Sequence, residues 1–163
     1  MDDRDIPQLC KELQQYSAEI QLTTGSFHEI FRYLLEAKGY SEKELCKKCL
    51  LDQPRLTAVK QLDDDTGSTK NVTLQVLVTL FIGMGLSITV SEYLLGLRGY
   101  ALSKRNPVHL AYRYLIEKHP GIPIEDANKL LTELFKGTHT SLNRILLGSR
   151  GYWPDNDQTG KKK

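Results

Sequence analysis

The sequence predicts an all-α fold, and three observations support this prediction. Apolar residues recur every three or four positions along most of the 163-residue chain, as they do on one face of a helix. Helix-start signals precede several of these stripes, including the capping boxes Ser26–Glu29 and Ser41–Glu44. No segment shows the alternation of apolar and polar residues that is typical of a half-buried strand.

The first half of the chain predicts a series of short helices. An N-terminal helix is expected over about 6–19, and the two capping boxes begin helices over 27–38 and 42–49. Gly39 closes the second helix, and a further short helix fits 53–62. The apolar positions of the N-terminal helix are Ile6, Leu9, Cys10, Leu13 and Tyr16.

Residues 71–91 carry no charge, so a membrane span must be considered. A span needs about twenty predominantly apolar residues, whereas polar side chains and the break at 83–85 interrupt this stretch. We therefore predict no membrane segment. The expected structure is a buried helix over 73–82, a turn, and a helix that begins at the capping pair Thr89 and Glu92.

Proline and glycine mark the helix boundaries in the last third. Asn106 and Pro107 supply a cap and a first-turn proline, and the break at 119–123 separates two apolar stripes. These stripes are expected to form an antiparallel helix pair, followed by a last short helix over 140–147. The residues expected to pack within the pair are Val108, Ala111, Leu115, Leu130, Leu131 and Leu134.

The same signals divide the chain into four parts. We expect residues 1–25 to hold the N-terminal helix, 26–100 to form a central helical domain, and 101–153 to form a C-terminal helical extension. Residues 154–163 are polar and are expected to be disordered.

The charge balance excludes a strongly basic, histone-like binder. The 22 Lys and Arg residues face 20 Asp and Glu residues, for a net charge of +2. Residues 1–100 hold 11 basic and 14 acidic residues (−3), and 101–163 hold 11 basic and 6 acidic residues (+5). An anionic partner would therefore have to use local patches or the C-terminal third.

Cysteine usage and the N-terminus predict the compartment. Three cysteines are too few for a disulfide framework, and the acidic start of the chain holds no secretory signal. The expected location is the cytoplasm.

The run from Tyr40 to Lys60 resembles the Cro/cI-type helix-turn-helix of Xre-family repressors, which implies a Cro/cI-like five-helix domain. It departs from the family pattern at Leu50, where glycine is usual, and at Lys60, where glutamate is common. The connection to the next helix also carries three aspartates, at 63–65. The positions that carry the resemblance are the helix-start Ser41, the Leu45-Cys46 pair, the turn Leu50-Leu51, the N-cap Asp52, and the apolar anchors Leu56 and Val59.

This resemblance implies a sequence-specific DNA-binding transcriptional regulator. Its partner would be double-stranded DNA, bound as a homodimer because one recognition helix contacts only a half-site. Gln can pair with adenine and Arg with guanine, and lysines contact phosphates. The side chains expected at the bases are Gln53, Arg55, Thr57, Ala58 and Gln61. The side chains expected at phosphates are Lys47, Lys48 and Lys60.

A second resemblance covers residues 94–147. The runs 99–103 and 110–117 are similar to a helical extension that follows Xre-like domains in Gram-positive bacterial proteins. It implies an accessory or interaction role. The alternative function is therefore a non-catalytic helical protein–protein interaction module that keeps the fold without the DNA contacts.

Catalytic and metal chemistry have little support in the sequence. Cys46 and Cys49 form a C-x-x-C on a predicted helix, but zinc needs two more ligands and only His28 lies in the neighbouring helix. The other histidines have no nucleophile at a matching spacing. We expect no enzyme activity, no metal and no cofactor.

Overall fold

Seven α-helices make up most of the described chain. The structure is a computed structural model that describes residues 26–62 and 72–153, and within these ranges it is all-helical and contains no strand. The predicted N-terminal helix, the aspartates at 63–65 and residues 154–163 lie outside the described residues. The helices are α1 (Phe27–Lys38), α2 (Glu42–Cys49), α3 (Gln53–Lys60), α4 (Leu74–Met84), α5 (Ile88–Leu97), α6 (Pro107–Lys118) and α7 (Ile124–Leu134), with 3-10 turns at Leu142–Arg144 and Arg150–Tyr152.

Local capping chemistry sets most helix starts. Both predicted capping boxes form, and in the second the Ser41 hydroxyl accepts from the Glu44 amide at 3.1 Å. The prediction that α5 begins at Thr89 is wrong, because the Ser87 hydroxyl accepts from the Val90 amide at 3.2 Å and starts the helix two residues earlier.

Helix α4 forms the centre of the core. Its residues from Val76 to Met84 are all buried, and α2, α5, α6 and α7 pack around it. Full burial explains the uncharged stretch, because a helix without a solvent face needs no polar side. No helix in the described ranges is both long and apolar enough to cross a membrane.

Helices α2 and α4 cross at very close range. A Cβ built at Gly83 would lie 2.3 Å from the Sγ atom of the buried Cys49. A larger residue at position 83 would therefore have to displace the buried thiol, which fills the space that its side chain would take.

The predicted last helix over 140–147 does not form. After the 3-10 turn Leu142–Arg144 the chain is non-helical from Ile145 to Ser149, and all five of these residues are buried. We call residues 145–149 the C-terminal strap. A buried non-helical segment must find partners for its backbone polar groups elsewhere, since each one left unpaired costs free energy.

Side chains from three helices supply those partners. The Tyr112 hydroxyl of α6 donates to the Ile145 carbonyl at 2.7 Å. Asn128 of α7 bonds both backbone groups of Leu147, accepting from its amide at 2.8 Å and donating to its carbonyl at 3.0 Å. From α4, Gln75 donates to the Leu146 carbonyl at 2.7 Å, and the Thr79 hydroxyl accepts from the Gly148 amide at 2.9 Å. These bonds replace the intrahelical ladder that the apolar pattern predicted.

Helices α6 and α7 flank an open apolar groove rather than a closed pair. Ala111, Leu115 and Leu131 are buried as expected, but Leu130 and Leu134 are 46% and 64% exposed. The buried face of α7 packs toward α2 and α4, which turns these two leucines outward. Together with Tyr114 of α6 they line a groove of about 330 Å³.

Candidate nucleic-acid interface at the helix pair α2 and α3

Three residues, Leu50, Leu51 and Asp52, connect α2 to α3. Leu50 has φ +52° and ψ 45°. Within the described ranges it is the only residue other than glycine that has a positive φ. The Leu51 amide bonds back to the Cys46 carbonyl at 3.0 Å, which closes the end of α2. The position where the resembled family usually has glycine thus adopts the left-handed conformation that glycine favours.

Apolar side chains on the core side of α2 and α3 pack together and hold the two helices against each other. Leu45, Leu56 and Val59 are fully buried in the common core, as predicted. Cys46 was expected to join them but is only half-buried, with its Sγ 3.7 Å from the Gln53 side-chain oxygen. Cys46 therefore lies at the edge of the helix contact.

The outer face of α3 is polar and uncharged. Gln53, Thr57 and Gln61 are exposed, whereas Ala58 is half-buried against the core. The Gln53 amide donates to Glu42 of α2 at 2.7 Å and to the Thr57 hydroxyl at 3.3 Å. This face can donate and accept hydrogen bonds, but its first side chain is engaged with α2.

Three of the four cationic side chains that were expected to contact DNA are bonded to other side chains of the protein. Arg55 pairs with Asp52, Lys60 pairs with Glu42, and the Lys48 ammonium donates to the Tyr40 hydroxyl at 2.7 Å. Lys47 is exposed and makes no ion pair with the described residues. Hydrogen bonds from Lys60 and then Gln53 lower the pKa of the Glu42 carboxyl, so this acid stays ionised on the face of the pair.

The C-terminal strap reaches this site. Ser149 donates its amide to the Leu50 carbonyl at 2.7 Å, and its hydroxyl accepts from the Asp52 amide at 3.0 Å and donates to the Asp52 carboxylate at 3.2 Å. The next residue, Arg150, is exposed and lies over the Trp153 ring. Sequence reasoning missed both residues, because Ser149 contacts Asp52, 97 positions away in the chain, and no local signal marks that contact.

Burial favours the neutral form of both thiols in the Cys46–Cys49 pair. Burial raises the pKa of the Cys49 thiol to about 12, and burial also raises the pKa of Cys46. The described ranges contain no group of three or more His, Cys, Asp or Glu residues that could hold a metal ion.

Comparison with known proteins found no matching family model, no similar curated protein and no similar solved structure.

Proposed function

We propose that the protein is a sequence-specific DNA-binding transcriptional regulator of the Cro/cI type, with α3 as the recognition helix. The observation that carries this proposal is the left-handed turn at Leu50, which joins two capped helices and leaves Gln53 and Thr57 of α3 exposed, together with Gln61 just after its end. A short turn and a second helix with an exposed polar face are what docking in a major groove requires.

Each exposed side chain suits a defined contact. Gln53 can bond both edge atoms of adenine once it leaves Glu42, and Arg55 can bond guanine once it leaves Asp52. Lys47 is free to contact a phosphate, while Lys48 and Lys60 must first leave their present partners. Binding therefore exchanges internal contacts for DNA contacts, which favours specificity over raw affinity.

Glu42 opposes DNA binding and provides a sharp test. Its carboxylate holds both Lys60 and Gln53 and would lie near the phosphate backbone. Glu42→Gln should raise affinity for DNA by roughly fivefold at low salt, because it removes a like charge and frees a cation. A protein that does not use this face for DNA would show no gain.

The deciding experiment is a fluorescence anisotropy titration with duplexes selected from a random library, at two salt concentrations. Gln53→Ala should reduce the preference for the selected sequence by about 1–3 kcal/mol. Lys47→Ala should weaken binding to all sequences and flatten the salt slope by about one unit. Lys104→Ala, an exposed lysine in the loop before α6, is the matched control. Binding that stays at a non-specific level, roughly 10⁻⁴–10⁻⁶ M, in every variant would refute the proposal.

A second candidate function is the non-catalytic protein-interaction module. It is favoured by the groove between α6 and α7, where Leu130, Leu134 and Tyr114 expose apolar surface that gains free energy when covered. The occupant that also suits a regulator is a second copy of this chain, since an operator with two half-sites needs a dimer.

The oligomeric state tests that occupant. Leu134→Glu should convert a dimer to a monomer in analytical ultracentrifugation, because a charge would be buried at the contact. Tyr33→Glu changes a similarly exposed residue of α1 and should leave the mass unchanged. A wild-type chain that is monomeric at high concentration would exclude the second copy and leave a different protein as the occupant.

A further inference from the structure

We infer that the C-terminal strap and Arg150 belong to the nucleic-acid interface: Ser149 positions the start of α3, and Arg150 adds a backbone phosphate contact beside it. This inference rests on the proposed function of the helix pair. It assigns a DNA-binding role to a segment that the resemblance to the helix-turn-helix family does not include.

Ser149 holds the turn from both sides. Its amide donates to the carbonyl of Leu50, the residue that follows α2. Its hydroxyl accepts from the amide of Asp52, the N-cap of α3, and donates to the Asp52 carboxylate. The Asp52 side chain also accepts from the Arg55 amide at 3.0 Å, so the cap of α3 is bonded to the strap and to its own first turn. A shift of the strap would therefore move the residues that begin the recognition helix.

The strap approaches the turn too closely for any residue but glycine at position 148. A Cβ there would lie 2.8 Å from the Leu50 carbonyl oxygen and 2.9 Å from the Cys49 carbonyl oxygen, and Gly148 has φ +84°. Behind it, the bonds to Thr79 and Asn128 anchor the strap in the core. The turn is thus supported by rigid, buried structure rather than by a surface loop.

Arg150 lies next to this supported turn. It follows Ser149 directly, so its Cα lies about 3.8 Å from that of the residue bonded to Asp52. Its guanidinium lies 5.6 Å from the centre of the Trp153 ring, and the indole of Trp153 donates to the Leu147 carbonyl at 2.9 Å. The side chain is exposed and makes no ion pair with the described residues, unlike Arg55.

These properties match those of a phosphate contact. Stacking on a fixed ring limits the conformations of the guanidinium, so less entropy is lost when it binds an anion. Because the guanidinium makes no ion pair with the described residues, no such pair has to break before it meets the DNA backbone. We therefore assign Arg150 a contact that adds affinity for every duplex and carries no base preference.

The test uses the full chain, the selected duplex and a scrambled duplex of equal length. Arg150→Ala should weaken binding to both duplexes by roughly three- to tenfold and reduce the salt slope by about 0.9. Arg150→Lys should restore most of the slope, because a lysine also releases a counterion. Arg105→Ala, another exposed arginine in the loop before α6, should match the wild type.

Ser149→Ala tests the positioning role separately. It should lower affinity for the selected duplex more than for the scrambled one, since a displaced α3 loses base contacts but keeps phosphate contacts. A merely structural role would lower the melting temperature and leave the ratio of the two affinities unchanged. If this variant does not fold, the exposed Arg150 still provides the test.

The outcomes distinguish this inference from the proposed function. If Gln53→Ala abolishes the base preference while Arg150→Ala behaves like Arg105→Ala, the inference is overturned and the proposed function stands. If neither Gln53→Ala nor Lys47→Ala changes DNA binding, the proposed function fails and the inference fails with it.

Discussion

Helices α3 and α7 each expose one face to water, and the two faces differ in kind. The face of α3 carries amides and the Thr57 hydroxyl, and Gln53 is bonded to neighbouring side chains, whereas the side of α7 that lines the groove carries Leu130 and Leu134 next to exposed charged residues. A polar face is stable in water but must release its internal contacts before it binds a partner. An apolar face gains from any complementary surface that covers it. The molecule thus separates a surface suited to selective contact from one suited to association.

The largest expected effect is the difference in the free energy of unfolding between removing a buried leucine of α3 and removing an exposed leucine of α7. Leu56→Ala in α3 should lower the free energy of unfolding by roughly 2–5 kcal/mol, because its side chain is fully buried beneath the polar face. Leu134→Ala in α7 should change it by less than about 0.5 kcal/mol. Urea denaturation followed by circular dichroism measures both. Equal losses would mean that the α7 face is covered in solution.

A smaller effect is expected at the C-terminal strap, which is bonded to α7 through Asn128 and to the start of α3 through Ser149. Asn128→Ala leaves the Leu147 amide unpaired inside the core, which should cost roughly 1–3 kcal/mol. Asn143→Ala, an exposed asparagine before the strap, is the control. Thermal unfolding of both variants should separate them clearly, and a stable Asn128→Ala protein would show that the strap is not held through α7.

The smallest effect concerns pH and the polar face alone. Because the folded-state pKa of Glu42 is lowered from 4.5, its ionised form stabilises the fold above that pH, and this stability is lost as the pH falls through the folded-state pKa. Glu42→Gln should remove this part of the acid sensitivity, worth less than about 1 kcal/mol for so exposed a pair. Unfolding curves of both proteins at pH 7 and pH 3 provide the measurement. If the free energies of unfolding of wild type and variant differ by the same amount at both pH values, the Lys60–Glu42 pair is contradicted.

Local signals predicted the helices well. Ser41 with Glu44, and Asn106 with Pro107, sit within a few residues of the helix starts that they stabilise, so the chemistry is visible in the sequence. Where two hydroxyl residues lie close together, as Ser87 and Thr89 do, the local signal does not say which of them becomes the cap.

Contacts between distant residues could not be predicted in this way. The stripe over 140–147 has helical spacing, yet the strap bonds to Gln75, Thr79 and Tyr112, which are far away in the chain. At the site, the resemblance to the helix-turn-helix family predicted that Gln53 and Thr57 face outward. It gave no sign that Glu42 would hold Lys60, because the two residues belong to different helices.

The strap also sets a condition on when the protein can fold during synthesis. Ile145 to Ser149 fill the space between α4, α6 and α7, and their backbone groups are the partners of buried side chains on all three helices. A nascent chain in which residue 149 is still inside the ribosome would carry those side chains without partners. The helices can form as they emerge, but the core can close only after nearly all of the described chain has been translated.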